Sequence, residues 1–280
     1  MAVSAIDLVR KVRNQVGDWG AYSTTLSAQL ASGAVEATLT AFDSAFIREG
    51  QTAEVETEVL QVIRVTNPVG VRRGLYGTTD ATHVLGSTVI FQPRFTNQAI
   101  LDALNDGLAA MNGIEPKLAE DVSKVVVQGQ EEYDLPTGCL GIDRVELETS
   151  TAGLYRPFRL YEYLPTLGHI RVYGSPVIGR HIRIIYQVAY ADLTWAATDI
   201  STTHPVRYHR YLVDYAQAEL LSKEAVGKLS GSASADGIDS TYRDNLIAAT
   251  TMRQQAMEKL EEARSPSRLI QLRDRRVYRL

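Results

Sequence analysis

Residues 54–68 read EVETEVLQVIRVTNP. Val55, Thr57 and Val59 alternate with Glu54, Glu56 and Glu58, and Leu60, Val62, Ile63 and Val65 carry the run to the turn signal of Asn67 and Pro68. A period of two marks a β-strand, because successive side chains point to opposite faces. A single strand through this stretch puts the three glutamates on one face. Like charges so close repel, so that face is expected to meet water or a basic neighbour.

The same period extends outward. Upstream, Val35, Ala37, Leu39 and Ala41 alternate with Glu36, Thr38 and Thr40. Downstream, Val71 leads into Arg72, Arg73 and Gly74, then Gly77 and Gly86 mark bends, and residues 88–91 read as a closing strand. Residues 35–93 are therefore expected to form a small β module of about five short strands. Residues 1–34 precede it as an N-terminal helical segment. There Ser4 and Asp7 form an N-cap pattern, Ile6, Val9, Val12 and Val16 keep helical spacing, and Gly17, Asp18 and Gly20 end the helix. The polar residues 23–33 are ambiguous.

Residues 94–113 read as a connecting helix, with Thr96 as N-cap, Ile100, Leu101, Leu104, Leu108 and Met111 on one face, and Gly113 and Pro116 as its end. A second β region, antiparallel, is expected over 122–193, with strands at 123–128, 142–149, 155–163, 169–173 and 181–190 and turns between them. Its tyrosines (Tyr155, Tyr161, Tyr163, Tyr173, Tyr186, Tyr190) suit strand packing better than a ligand-stacking platform. C-terminal helices follow over 204–263. Pro205 fits a first turn, and Tyr208, Tyr211, Leu212, Tyr215, Ala218, Leu221 and Ala225 form an apolar stripe. The Gly/Ser-rich residues 227–237 suggest a mobile loop, and a final helix runs to about Ala263 before Pro266. The fold class expected is α+β: helices at both ends around a small N-terminal β module and a central antiparallel β region, with a long C-terminal helix and an extended arm.

That arm, residues 264–280, reads RSPSRLIQLRDRRVYRL. Arg264, Arg268, Arg273, Arg275, Arg276 and Arg279 face a single acid, Asp274, so its formal charge is +5 in a chain of −4, which leaves −9 on the body. Leu269, Ile270, Leu272, Val277, Tyr278 and Leu280 are interleaved with the arginines. A solubilising tail has no need of large apolar groups, which are costly in water. A cationic and apolar segment after a helix reads as a docking peptide for another protein.

Composition bounds the rest. With 45% hydrophobic and 22% charged residues, the chain has the make-up of a globular protein. No apolar run approaches the ~20 residues that span a bilayer, and the first twenty residues lack the apolar core of a secretory signal. The single cysteine, Cys139, allows neither an internal disulfide nor a cysteine zinc site, and a reducing cytoplasm is the expected place of synthesis. Net acidity argues against a general nucleic-acid binder. The five histidines (His83, His169, His181, His204, His209) show no metal-ligand spacing, and no nucleophile elbow, Walker loop or dinucleotide fingerprint is present. Arg72, Arg73 and Gly74 with Gly77, Thr78 and Thr79 could cradle a phosphate in a backbone nest, but a tight turn with a solvated arginine is the plainer reading. No enzyme, cofactor or metal is expected.

One resemblance adds to this. The segments TTLSAQLASGAVEATLT (24–40), EVETEVLQVIRVT (54–66) and VRRGLYGTTDATHVLGSTV (71–89) resemble a module found in virion proteins of tailed bacteriophages. Arg73, Gly74, Gly77, Thr78, Thr79, His83, Gly86 and Val89 occupy its last motif, where the resemblance implies a structural role. Leu85 departs from the small residues usual there. HPVRYHRYLVDYAQAELLSKEA (204–225) is similar to a late helix of phage head–tail connector (adaptor or neck) proteins. That resemblance implies a homo-oligomeric ring, usually of twelve subunits, in the virion neck. It would be made in the host cytoplasm and would bind the portal protein on one face and a tail or neck protein on the other. DNA would pass through its channel without specific binding, and no membrane would be involved. The arm would dock on the portal. Another tail or baseplate component, or a glycan-binding attachment module drawn from the tyrosine-rich region, are the alternatives.

Overall fold

Helix α1, Ala5–Val16, begins at the predicted cap: the Ser4 Oγ accepts the Asp7 N–H at 3.1 Å, and the Asp7 carboxylate accepts the Ser4 N–H at 2.9 Å. These bonds satisfy two end groups that a helix cannot pair internally. Gly17 closes it in the left-handed region, φ 65°. The computed structural model describes residues 3–18, 20, 22–174, 176–197, 199–200, 204–231 and 240–263. The described residues form a mixed α+β protein with four α-helices and antiparallel sheets, divided into two compact units, 1–108 with 192–280, and 109–191.

The first unit holds a six-stranded antiparallel sheet. Its strands are β1 (Tyr22–Thr25), β2 (Glu36–Ala37), β3 (Thr52–Val55), β4 (Glu58–Arg64), β5 (Val69–Arg72) and β6 (Thr88–Phe91), in the order β1-β6-β3-β4-β5-β2. A bridge between Leu26 and Leu39, with Thr40 N–H to Thr25 O at 2.8 Å, links the two edge segments and closes the sheet on itself. Closure removes exposed strand edges. Leu26, Leu30, Leu39, Val55, Leu60, Val62 and Phe91 belong to its core. Strand β1 lies upstream of the expected boundary at 35. The expected strand over 35–41 is only two residues long, because beyond Ala37 the Asn67 side chain supplies Leu39 with both backbone hydrogen bonds.

The glutamate stretch is corrected most. It is a hairpin, not one strand: Val55 pairs with Glu58, Glu54 with Val59, and Glu56 sits in the turn at φ 55°. The core members Ala53 and Val55 flank Glu54, whereas Glu58 shares the side of Leu60 and Val62. Reversing the chain at 56–57 thus sends Glu54 and Glu58 to opposite faces of the sheet, and both are fully buried.

Helix α2 (Asn97–Asn112) starts with the Thr96 hydroxyl accepting the Ala99 N–H at 3.1 Å, as its sequence predicts. Helix α3 (His209–Gly231) follows a 3-10 turn at Val206–Tyr208, so Pro205 stands one turn before the α-helix proper. The stripe from Tyr208 to Ala225 is buried apart from the half-exposed Leu221. Helix α4 (Ser240–Ala263) packs along α3, with Ala249, Ala256 and Leu260 buried and Lys259 paired to Asp214 at 2.6 Å. The expected loop at 227–237 is helical as far as Gly231, and 232–239 fall outside the described residues.

The second unit has two antiparallel sheets sharing one core. Strands β7 (Lys117–Val125), β8 (Glu132–Asp134), β9 (Gly141–Glu148), β10 (Tyr155–Phe158), β11 (Tyr161–Leu164), β12 (His169–Val172) and β13 (His181–Val188) assemble as β10-β9-β13-β7 and β11-β12-β8. Val145, Ile182 and Ile184 from one sheet meet Tyr133, Ile170 and Val172 from the other. The stretch read as one strand over 155–163 divides into β10 and β11, which join different sheets. Tyr161 and Tyr163 pack on the core, and Tyr173 donates to Glu162. Tyr161 and Tyr163 thus show the strand packing expected of them, whereas Tyr173 is exposed.

Candidate functional site

The motif residues converge on the carboxylate of Glu58. Arg73 grips it through Nε at 2.9 Å and Nη2 at 2.5 Å. The backbone N–H groups of Gly74 and Ala81 donate to it at 3.1 and 3.2 Å, and His83 Nε2 lies 2.7 Å away. Burial pushes the Glu58 carboxyl up, but hydrogen bonds from Arg73, His83 and Ala81 with the Arg73 charge outweigh it and hold the group below its usual range. The Arg73 side chain also pairs with Asp80 at 3.0 Å and donates to the carbonyls of Ala31 and Ala81. It is therefore buried, at 5% exposure, where a solvated arginine was expected. The anion that these turn residues enclose is the chain's own Glu58 and not a phosphate.

His83 is buried between carboxylates, with Nδ1 3.0 Å from Glu56, and its backbone bridges Leu30. Thr78 accepts the Val59 N–H and donates to Leu75 O. Gly74, Gly77 and Gly86 all have positive φ, a conformation that favours glycine. Thr79 is exposed. This arrangement pins the loop over 74–86 to the sheet at one buried point, and Tyr76, Val84 and Leu85 project from it into water.

A second cluster escaped the sequence reading. Arg13 of α1 is buried and donates to Asp18 Oδ2 and Glu54 Oε2, each at 3.0 Å, to Asn97 Oδ1 at 2.7 Å and to Phe95 O at 3.1 Å. Asp18 in turn accepts the N–H groups of Arg94 and Phe95 at 2.8 Å. Burial lifts the Glu54 carboxyl to about 7, against the pull of Arg13 and the Asn97 N–H. Beside this cluster lies a cavity of about 180 Å³ lined by Ile6, Val9, Glu56, Ile90 and Trp195. The available signal was Arg13 itself, which falls four residues after Val9 inside the apolar stripe.

The other histidines form no metal centre: among the described residues, no three His, Cys, Asp or Glu side chains are placed to hold an ion. His209 Nε2 lies 3.0 Å from His204 O, and burial pushes its imidazole toward the neutral form. Among the described residues, no helix is long and apolar enough to cross a membrane. The docking-arm residues, from Arg264 through Arg268, Leu269, Ile270, Leu272, Arg273, Arg275, Arg276, Val277, Tyr278 and Arg279 to Leu280, lie outside the described residues.

Two carboxylate hubs thus lock helix, loop and sheet together, an α+β architecture in which buried charge ties elements to one another. Residues 78–273 match the family model described as SU10 adaptor protein, and the chain belongs to that family, whose members are bacteriophage structural adaptor proteins. The match begins inside the motif loop and ends at Arg273, within the basic segment. No curated protein matches the chain.

Proposed function

We propose that this adaptor is the connector ring between the portal and the tail of a tailed phage, extending the DNA channel, with residues 264–280 docking on the portal. Family membership carries the adaptor part of the reading, and the composition of the arm supports the docking part. In this reading the protein is not an enzyme and needs no cofactor. It works in the virion neck after synthesis in the host cytoplasm, as a ring of about twelve copies with a tail or neck protein on the distal face. Identical subunits in such a ring meet through head-to-tail contacts. In this reading the final helix and the C-terminal residues supply surfaces for them. A body of charge −9 (the −4 total less the arm's +5) suits a channel that DNA must cross without sticking, since cationic walls bind phosphates. Apolar burial and arginine–carboxylate pairs are the interactions that drive such docking.

The test is removal of residues 264–280. The shortened protein is expected to keep its circular dichroism spectrum and to lose co-sedimentation with portal. Undiminished co-sedimentation would overturn the docking role.

A further inference from the structure

Tyr76 is held on the surface of the first unit in a conformation that works against it. Its side chain is 82% exposed, and its backbone is left-handed at φ 53° and ψ 33°. For a bulky residue that conformation is strained, and it persists only where the surroundings impose it. Here they do: Gly74 on one side is tied to Glu58, and Thr78 on the other is tied to Val59 and Leu75. Among the described residues the exposed aromatics are Phe46, Tyr76 and Tyr173. Phe46 stacks on Tyr22 and Tyr173 donates to Glu162, but neither the ring nor the hydroxyl of Tyr76 has a partner among those residues. A glycine would fit the turn without strain. The ring is therefore presented to something beyond its own subunit.

The same unit carries a hole of matching size. The cavity beside the Arg13 cluster measures about 180 Å³ and is lined mostly by apolar groups, with Val9 and Ile90 buried and Ile6 and Trp195 half-buried. An apolar cavity of about 150 Å³ takes benzene, so one phenol ring fits. Arg10 and Glu56 complete the lining. Arg10 is exposed and has no ion pair among the described residues, which leaves its guanidinium available to lie over a ring. Glu56 holds Ser87 on one oxygen and His83 on the other, and a carboxylate offers about four acceptor sites, so it can take a phenol hydroxyl as well. The cavity is walled by β6, whereas the Tyr76 turn is anchored on β4, with β3 between them. Two strand spacings, about 10 Å, separate knob from hole.

We propose that the Tyr76 ring of one copy enters this cavity on the next copy, with its hydroxyl on Glu56 and Arg10 against its face. A knob and a hole at separate places on one surface make a head-to-tail contact, the kind that closes a ring, whereas a self-complementary patch gives only pairs. The proposal rests on the ring reading and supplies one contact within it.

The experiment uses the full chain at high concentration without portal, in a Cys139→Ser background so that each variant carries one cysteine. Thr79→Cys, on the Tyr76 loop, is mixed with Thr88→Cys, in the cavity lining, and both positions are exposed. A short bismaleimide is expected to join position 79 to position 88 at least fivefold more often than either position to itself, read by mass spectrometry of the joined peptides. Adding Tyr76→Gly to the Thr79→Cys chain is expected to abolish that excess while the thermal midpoint stays level or rises, since glycine relieves the backbone. A statistical mixture of products, no product, an excess indifferent to Tyr76→Gly, or a midpoint that falls with it would overturn the proposal, the last by making Tyr76 a residue of its own subunit's stability. Portal is absent from this assay, so its failure leaves the portal-docking reading to the co-sedimentation test.

Discussion

Arg73 and Glu58 form a two-point ion pair inside the first unit, Nε to Oε1 at 2.9 Å and Nη2 to Oε2 at 2.5 Å, with side chains 5% and 1% exposed. Removing one partner of such a pair strands the other charge away from water. Glu58→Ala is expected to cost about 3–5 kcal/mol, and the double change Glu58→Ala with Arg73→Met is expected to recover part of that loss. Urea denaturation of the three variants measures it. A double variant no more stable than Glu58→Ala would show that the stranded guanidinium is not the cause.

Glu54 and Glu58 should respond to pH in opposite senses. Glu58 sits lower in the folded protein than when unfolded. Its contribution is present above the unfolded value near 4.5 and is lost as pH falls through the lower folded value. Glu54 sits higher, at about 7 against an ordinary 4.5. Its contribution is complete below about 4.5 and fades as pH rises through about 7, a change on the order of 3 kcal/mol. Stability is therefore expected to fall between pH 5 and pH 8, and Glu54→Gln to flatten that fall. Urea midpoints at three pH values read the slope. An equal slope in Glu54→Gln assigns it to another group.

Gly20 is a third test, because two constraints coincide there. Its φ is 67°, and an added Cβ would lie 2.3 Å from the Phe91 carbonyl oxygen of strand β6. Backbone cannot yield as a side-chain end can. Gly20→Ala is expected to cost on the order of 2 kcal/mol or more. Gly17→Ala, with a similar φ but open space around its Cβ, should cost about half of that. Thermal melts of the pair separate the steric part from the conformational part.

What the sequence discloses here is what short-range chemistry decides. The caps at Ser4 and Thr96, the helix ends at Gly17 and Gly113, and the stripe of α3 depend on residues within one or two turns of one another. The hairpin at Glu56 was hidden because EVETEV keeps perfect alternation through the turn, with no glycine or asparagine to supply the positive φ that Glu56 adopts. Arg13 was hidden because its partners lie at positions 18, 54, 95 and 97, which only the folded chain brings together. The residues of the Glu58 hub were singled out as a motif, yet their shared carboxylate was read as facing outward. Nothing in local pattern shows that a strand glutamate is the anion a glycine-rich loop encloses.

Tyr133 provides the last test, within the second unit. Its ring belongs to the second unit's core, and its hydroxyl holds the Val127 N–H and the Gln130 carbonyl of the β7–β8 loop. Tyr133→Phe keeps the ring and deletes only those two bonds. The expected cost is about 1 kcal/mol, the net worth of a hydrogen bond exchanged with water. The loop should loosen more than the core does, because its own backbone bond from Gln130 N–H to Val127 O, at 3.2 Å, is the weaker remaining tie. Hydrogen exchange is expected to speed up at Val127 by about tenfold while Val145 and Ile184 in the core strands stay protected. Unchanged exchange at Val127 would show that the Tyr133 hydroxyl does not hold the loop.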